Sequence, residues 1–252
     1  MHQPVFDSHL HIIDPHFPLV ENNGYVPDPF TVSDYQQRVK GLHIFGGAVV
    51  AGSFQGFHQE YLISALKQLG PGFVGVAQIP NDTNDKRINQ LHDAGVRAVR
   101  FNIARGGAAA LADLETLARR AYDLAGWHAE LYIDARTIDD DLFHRIARLP
   151  AASIDHLGMH EDGLNTLLRL VENGVKVKAT GFGRVDLDPS RTMRAILDVD
   201  PTALMVGTDL PSTRARQPFQ NADFELITES LTSEEIPAVL WDNAADFYLR
   251  QR

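Results

Sequence analysis

Residues 126–134 read Gly-Trp-His-Ala-Glu-Leu-Tyr-Ile-Asp, and from His128 onward the stretch alternates strictly between polar and apolar. Successive side chains of an extended strand point to opposite faces. His128, Glu130, Tyr132 and Asp134 therefore share one face, and Ala129, Leu131 and Ile133 the other. In a strand packed on both sides, four polar groups cannot point into covering helices without partners. The polar row must face the inside of a closed barrel, with Tyr132 near its mouth and His128 and Glu130 deeper, in structural roles.

Working outward, short β-branched or apolar runs recur at 5–9, 47–52, 73–79, 96–102, 129–134, 153–156, 175–180 and 204–208. Between them apolar residues fall at helical spacing. The stripes are Phe57, Tyr61, Ala65, Leu66 and Leu69; then Leu111, Leu114, Leu117, Ala118, Ala121, Tyr122 and Ala125. Leu164, Leu167, Leu168 and Val171 follow, and Ile236, Val239, Leu240, Ala244 and Phe247 close the chain. Gly70-Pro71, Gly95, Gly126 and Gly174 stop helices just before strands. Such alternation implies parallel strands joined by right-handed crossovers. Eight strands in 252 residues fit a barrel, and no Gly-x-Gly-x-x-Gly follows the first strand as a dinucleotide-binding sheet would prefer. The expected fold is α/β, a single (β/α)8 TIM barrel forming one domain over 1–252, with 105–110 (RGGAAA) its loosest segment.

Composition narrows the function. An apolar share of 44% permits a sizeable core, and no apolar run approaches the roughly 20 residues that span a bilayer. The N-terminus lacks a secretory pattern, and the absence of cysteine removes disulfides, thiolate metal sites and cysteine nucleophiles. A cytoplasmic protein without membrane association is the expectation. The net charge of -10 argues against nucleic acid as a partner, although local arginines can still receive a small anion. Nothing in the sequence sets an oligomeric state.

Barrel enzymes carry their chemistry at the C-terminal ends of the strands. The first strand ends Asp7-Ser8-His9-Leu10-His11, which puts two imidazoles on one side, able to chelate a divalent ion or bind one substrate oxygen. The fourth separates Val96, Ala98, Arg100 and Asn102 from Arg97, Val99 and Phe101. Arg100 near the mouth offers a fork for a carboxylate, with a structural ion pair as its other reading. The sixth ends at Asp155-His156. The seventh carries Lys176, Lys178 and Thr180 on one face, where the lysines balance interior charge. The eighth ends Thr208-Asp209-Leu210-Pro211, and barrel closure brings Asp209 beside the first strand's histidines as a general base or ligand.

With these residues in place, the chain resembles the amidohydrolase superfamily in its amidohydrolase-2 branch, and within it the 2-pyrone-4,6-dicarboxylate lactonases. FDSHLH, LHDAGVRAVRFN, GWHAELYIDA, IDHLG, VKATGFGRVDLDP, VGTDLP and DNAADFY carry the likeness over nearly the whole length. The resemblance implies lactone hydrolysis without a metal: Asp209 as general base on water, with His9, His11 and His156 polarising the carbonyl. Arg100 and Arg184 would hold substrate carboxylates, and Tyr132, Tyr25 and Ser53 would complete the pocket. Three departures bear on the substrate. Arg105 falls one position before the family's second arginine, Leu210 replaces a common tryptophan, and Gly181-Phe182-Gly183 differs. Two other readings remain. One is a zinc-dependent hydrolase or non-oxidative decarboxylase of the same branch, with His9, His11, His156 and Asp209 as ligands. The other is a non-catalytic barrel that binds an anion.

Overall fold

A computed structural model describes residues 3–106 and 111–249; positions 107–110 of the loose segment lie outside the described residues. Eight parallel strands follow one another in a single sheet in chain order: β1 Val5–Leu10, β2 Ile44–Val50, β3 Phe73–Ala77, β4 Val96–Asn102, β5 His128–Tyr132, β6 Ala152–Ile154, β7 Lys176–Ala179 and β8 Leu204–Val206. The helices are α1 Val32–Arg38, α2 Glu60–Leu69, α3 Asp85–Asp93, α4 Leu114–Ala125, α5 Asp140–Ala147, α6 Leu164–Glu172, α7 Pro189–Val199 and α8 Asn221–Glu229. The fold is a (β/α)8 TIM barrel. No described helix is long and apolar enough to cross a membrane.

Local chemistry explains where the helices begin. The Thr31 side chain accepts from the Asp34 N–H while the Asp34 carboxylate accepts from Thr31, a reciprocal cap on α1. Asp188 caps α7 ahead of Pro189, whose fixed φ suits a first helical turn. Phe57, which falls on the first apolar stripe, instead precedes α2 and is exposed.

The seam between β8 and β1 closes through side chains as well as backbone. The Asp7 carboxylate accepts from the Thr208 N–H at 2.8 Å and the Thr208 hydroxyl at 2.7 Å. Beyond the strands, the Asp209 N–H donates to the His9 carbonyl at 2.7 Å and the His11 N–H to the Leu210 carbonyl at 2.7 Å. Gly207 permits this approach, since a Cβ there would lie 2.8 Å from the His9 nitrogen.

Two apolar layers enclose the sheet. The larger lies between strands and helices and includes Val5, Leu10, Val99, Phe101, Ala129, Leu131 and Val177. The smaller fills the lower barrel with Phe6, Ala48, Val50, Val74, Val76, Ala98 and Met205, joined by Ala244 and Tyr248. Those last two come from the closing segment, which runs from Glu235–Pro237 through a π-helical turn, Ala238–Asp242, into Asn243–Leu249. Tyr248 stacks on Phe6 at 5.4 Å, and the barrel acquires a floor.

The faces read from β5 hold: Ala129 and Leu131 lie outside, while Glu130 and Tyr132 lie inside. Asp134 departs from the row. The strand ends at Tyr132, and the Asp134 carboxylate caps the following short turn and pairs with Arg136. Lys176 also leaves the expected interior face and binds Asp200 and Thr202 at the surface. Val96 joins the outer layer, where a register shift interrupts the β3–β4 pairing.

Candidate functional site

His9 faces inward because β1 is irregular. Phe6 lies in the floor and Leu10 in the outer layer, although strict alternation would place both on one face. The β1–β2 register shifts between Asp7 and Leu10. This irregularity re-aims the chain next to a site, as bulges commonly do. It leaves His9 and His11 edge to face, with centroids 5.0 Å apart.

Two other groups arrive on strained backbone. His156 follows β6 with φ 52°, and Asp209 follows β8 with φ 59°, a region that costs non-glycine residues about 1–3 kcal/mol. Gly181 makes room for the first of them, since a Cβ there would meet His156 Nδ1 at 2.6 Å. The expected strands at 153–156 and 204–208 thus stop short at Ile154 and Val206. The residues that carry polar chemistry have already turned out of the ladder.

The four groups converge. Asp209 Oδ1 lies 3.8 Å from His9 Nε2 and 3.7 Å from His11 Nε2, and the His9 and His156 rings are 5.0 Å apart. All four residues are buried. Two of the three rings are hydrogen-bonded through their other nitrogen. His11 Nδ1 donates to the Val50 carbonyl at 2.7 Å and His156 Nδ1 to the Thr180 carbonyl at 3.3 Å. His9 Nδ1 sits 3.4 Å from Asp155 Oδ1, in ion-pair range but off a hydrogen-bond axis. A neutral imidazole that donates through Nδ1 presents a lone pair at Nε2. Burial favours the neutral ring, pushing His9 down to about 4 against the pull of Asp155 and holding His156 well below its usual value.

Asp209 is a salt-bridged carboxylate. Arg184 Nε donates to Oδ2 at 2.9 Å, Nη2 reaches the same oxygen, and Oδ1 is left without a hydrogen bond. Burial pushes this carboxyl up, but Arg184 and the surrounding rings outweigh burial and hold it below the ordinary range. Beneath lies a buried network that the sequence reading assigned only in part. Arg100 Nη1 is 2.9 Å from Asp155 Oδ2, Lys178 Nζ is 2.5 Å from Glu130 Oε2 and 3.6 Å from Asp155 Oδ1, and the Tyr248 hydroxyl donates to Glu130. Burial raises Asp155, but Arg100, His9 and Lys178 together hold it well below the usual value; Lys178 outweighs burial at Glu130 and holds that group at about 2.

A cavity opens above these groups, lined by His11, His156 and Asp209 together with Ser53, Arg100, Arg105, Tyr132 and Arg184. Tyr25 does not line it; its ring lies 4.3 Å under the Arg214 guanidinium, and Arg214 does line the cavity. Arg100 reaches the wall, but its charge is engaged by Asp155, the ion pair that was its second reading. Asp155 and Arg214 are additions. Asp155 stands next to His156 in a strand-end pair, a signal present in the sequence, whereas Arg214 sits in a polar loop without periodicity.

Comparison with known proteins gives the following. The family described as "Amidohydrolase" matches residues 6–250. A 2-pyrone-4,6-dicarboxylate hydrolase of Comamonas testosteroni is 30% identical over 161 residues, 60% of this chain and 51% of the relative. A D-galactarolactone isomerase of Agrobacterium fabrum is 24% identical over 181 residues, 67% of this chain and 60% of the relative. The matched stretches thus span just over half the length of these curated relatives. A crystal structure of a probable 2-pyrone-4,6-dicarboxylic acid hydrolase from Acinetobacter baumannii, with citric acid bound, superposes with a TM-score of 0.86 at 19% identity, covering 98% of this chain and 99% of that one.

Proposed function

The chain belongs to the amidohydrolase family, and from that premise we propose that it is a hydrolase opening a small lactone that carries carboxylates. One observation carries the reading: the unbonded Oδ1 of Asp209, facing the His9 and His11 Nε2 atoms, lies at a cavity walled by arginines. The relatives' names, a dicarboxylate hydrolase and a lactone isomerase, agree in substrate class.

In the reaction, a water donates its two hydrogens to Asp209 Oδ1 and to one Nε2 lone pair. As its oxygen attacks the ring carbonyl, Asp209 takes one proton. The ester C–O bond then breaks, and the leaving oxygen receives that proton, so the base is regenerated. The resemblance gives the imidazoles the task of polarising the carbonyl, which requires N–H groups aimed at it. With Nδ1 as the donor to a backbone carbonyl, a neutral His11 or His156 offers an acceptor instead. We therefore assign the rings to the water and the developing oxyanion to the Tyr132 hydroxyl, which is buried without a hydrogen-bond partner, helped by the cationic wall.

The same lone pairs favour a second reading, a zinc-dependent hydrolase or decarboxylase. His9, His11 and Asp209 form one group whose ligand atoms lie within 4.8 Å, and His9, Asp155 and His156 form another. Rings backed at Nδ1 by carbonyl or carboxylate fit a divalent ion, which would supply a bound water of lowered pKa. The charge pairing supports the metal-free reading: Asp209 with Arg184, Asp155 with Arg100 and Glu130 with Lys178 leave no spare buried carboxylate in this set.

The test is acid release from 2-pyrone-4,6-dicarboxylate and other carboxylated lactones, by protein purified without added metal and dialysed against a chelator. Turnover that survives chelation, with metal content far below stoichiometric, is expected. Activity that tracks zinc would establish the second reading. Binding of the lactones without any turnover would leave an anion-binding barrel.

A further inference from the structure

Beside the cavity lies a groove that the proposed chemistry does not use, walled by segments 20–22 and 53–58. Val20 and Phe57 both line it, and each is 46% exposed. Isolated apolar side chains at a surface are ordinary, but two that share a concave wall mark a place where a ligand excludes water. Phe57 falls on the first apolar stripe by spacing, yet it stands ahead of α2, so nearly half its surface stays in water. Gly56 keeps the groove open: it sits at φ 53°, and a Cβ there would lie 3.4 Å from Val20 Cγ2.

The groove is pre-formed. The Val20 N–H donates to the Phe54 carbonyl at 2.7 Å, joining the two walls. Gln78 Nε2 donates to the Gly52 and Gly56 carbonyls at 3.1 and 2.9 Å, which pins the second wall to the chain just after β3. The groove is also continuous with the cavity, since Ser53 borders both. Asn22, in the first wall, accepts from Arg214 Nη1 at 3.1 Å and donates to the Arg105 carbonyl at 3.5 Å, and both arginines line the cavity. Charge divides between the two compartments. Arg100, Arg105, Arg184 and Arg214 line the cavity against Asp209, whereas the groove is lined by Glu21 and by no lysine or arginine. An anion is therefore drawn to the cavity and repelled from the groove.

We infer that the groove is a subsite for an uncharged apolar arm, alkyl or aryl, on a ligand whose carboxylate lies in the cavity. The subsite deepens the proposed reading by naming a substrate class, carboxylated lactones with an apolar substituent, and it rests on that reading for the place of the lactone ring. A protein partner covers about 20–30 residues a side, whereas two short loop segments suit a small substituent. Each methylene fully buried there is worth about fourfold in affinity.

The test is calorimetric binding of benzoate and of 3-propylbenzoate, neither of which contains a bond to hydrolyse. The intact protein is expected to bind the propyl compound at least about tenfold more tightly. Phe57→Ser and, independently, Val20→Ser should each cut that gain by about threefold or more, while changing benzoate affinity by less than about twofold. Neither substitution removes a described side-chain hydrogen bond, and the second keeps the test valid if the first variant misfolds. Phe45→Ser, which deletes an exposed ring at the opposite end of the barrel, should leave the gain intact. Equal affinity for the two probes, binding of neither, or a gain that survives both groove variants would overturn the subsite. So would a dimer in sedimentation that Phe57→Ser dissociates, which would assign the groove to a second copy of the chain. If the gain depends on Phe57 and Val20 and no lactone is opened, the subsite stands and the hydrolase reading falls. If lactones are opened and the gain is absent or indifferent to both variants, the reverse holds.

Discussion

The two ends of this barrel are built on opposite terms. At the floor, Phe6, Val50, Val76, Met205, Ala244 and Tyr248 pack as an apolar layer, and the polar Tyr248 hydroxyl finds Glu130. At the rim, Asp209 Oδ1, both His9 ring nitrogens and the Tyr132 hydroxyl are buried without hydrogen bonds, and His156 and Asp209 sit at positive φ. Unsatisfied buried polar atoms and strained backbone both oppose folding. The floor contributes stability, and the rim keeps buried polar groups that the protein itself leaves unpartnered. Between the two ends, the Arg100, Asp155, Glu130 and Lys178 network keeps the rim groups charged or neutral as required.

Variants at the two ends should therefore move different measurements. Asp209→Asn at the rim should lower kcat by about 10³-fold or more, the scale of a lost general base. A kcat near that of the parent would remove Asp209 from the chemistry. Phe6→Ala at the floor should cost about 3–5 kcal/mol in urea unfolding, while the kcat of the folded protein stays within a few-fold. A kcat collapse on a par with the Asp209 variant would erase the distinction.

Acid should expose the rim's cost. His9 is depressed to about 4 from 6.5, so the unfolded chain takes up a proton as pH falls through 6.5 while the native state does not. Stability from this group is present above 6.5 and is lost between there and 4, by about 2 kcal/mol at pH 5. His156 acts in the same direction. Asp7 opposes them: burial raises it from 3.8 to about 6, so acidification returns about 1 kcal/mol by pH 5. Unfolding free energies at pH 7 and 5 should therefore fall on acidification, and a rise would overturn the assignment of neutral rings. The smallest expected effect belongs to Arg184→Met. Losing the cation beside Asp209 raises that carboxyl, so the acid limb of the pH–rate profile should move up by about one pH unit or more. An unmoved limb would mean that a group other than Asp209 limits the rate in acid.

Much of this was legible in the sequence. The alternation of β5 announced a polar interior, and the two histidines of β1 and the acid after β8 stood at the right places because strand ends are a fixed feature of the fold. Strand ends were less legible, since the turns at His156 and Asp209 depend on backbone strain that only the surrounding packing can impose. Asp134 read as interior by parity, but parity stops where the ladder stops, and its carboxylate turned to cap a helix instead. The β1 irregularity is invisible to pattern, because His9 and His11 share a face with or without it. Arg214 had no period to betray it; the residues that hold it, Asn22 and Tyr25, lie nearly two hundred positions earlier in the chain.

The seam where Asp7 grips Thr208 joins the first strand to the last. His9 thus meets its carboxylate partner only when nearly the whole polypeptide has found its place, and loop closure over such a separation is slow. A nascent or partly unfolded chain has no assembled centre to act with. Recovery of activity during refolding should accordingly coincide with the docking of β8 against β1, and not with collapse of the surrounding helices.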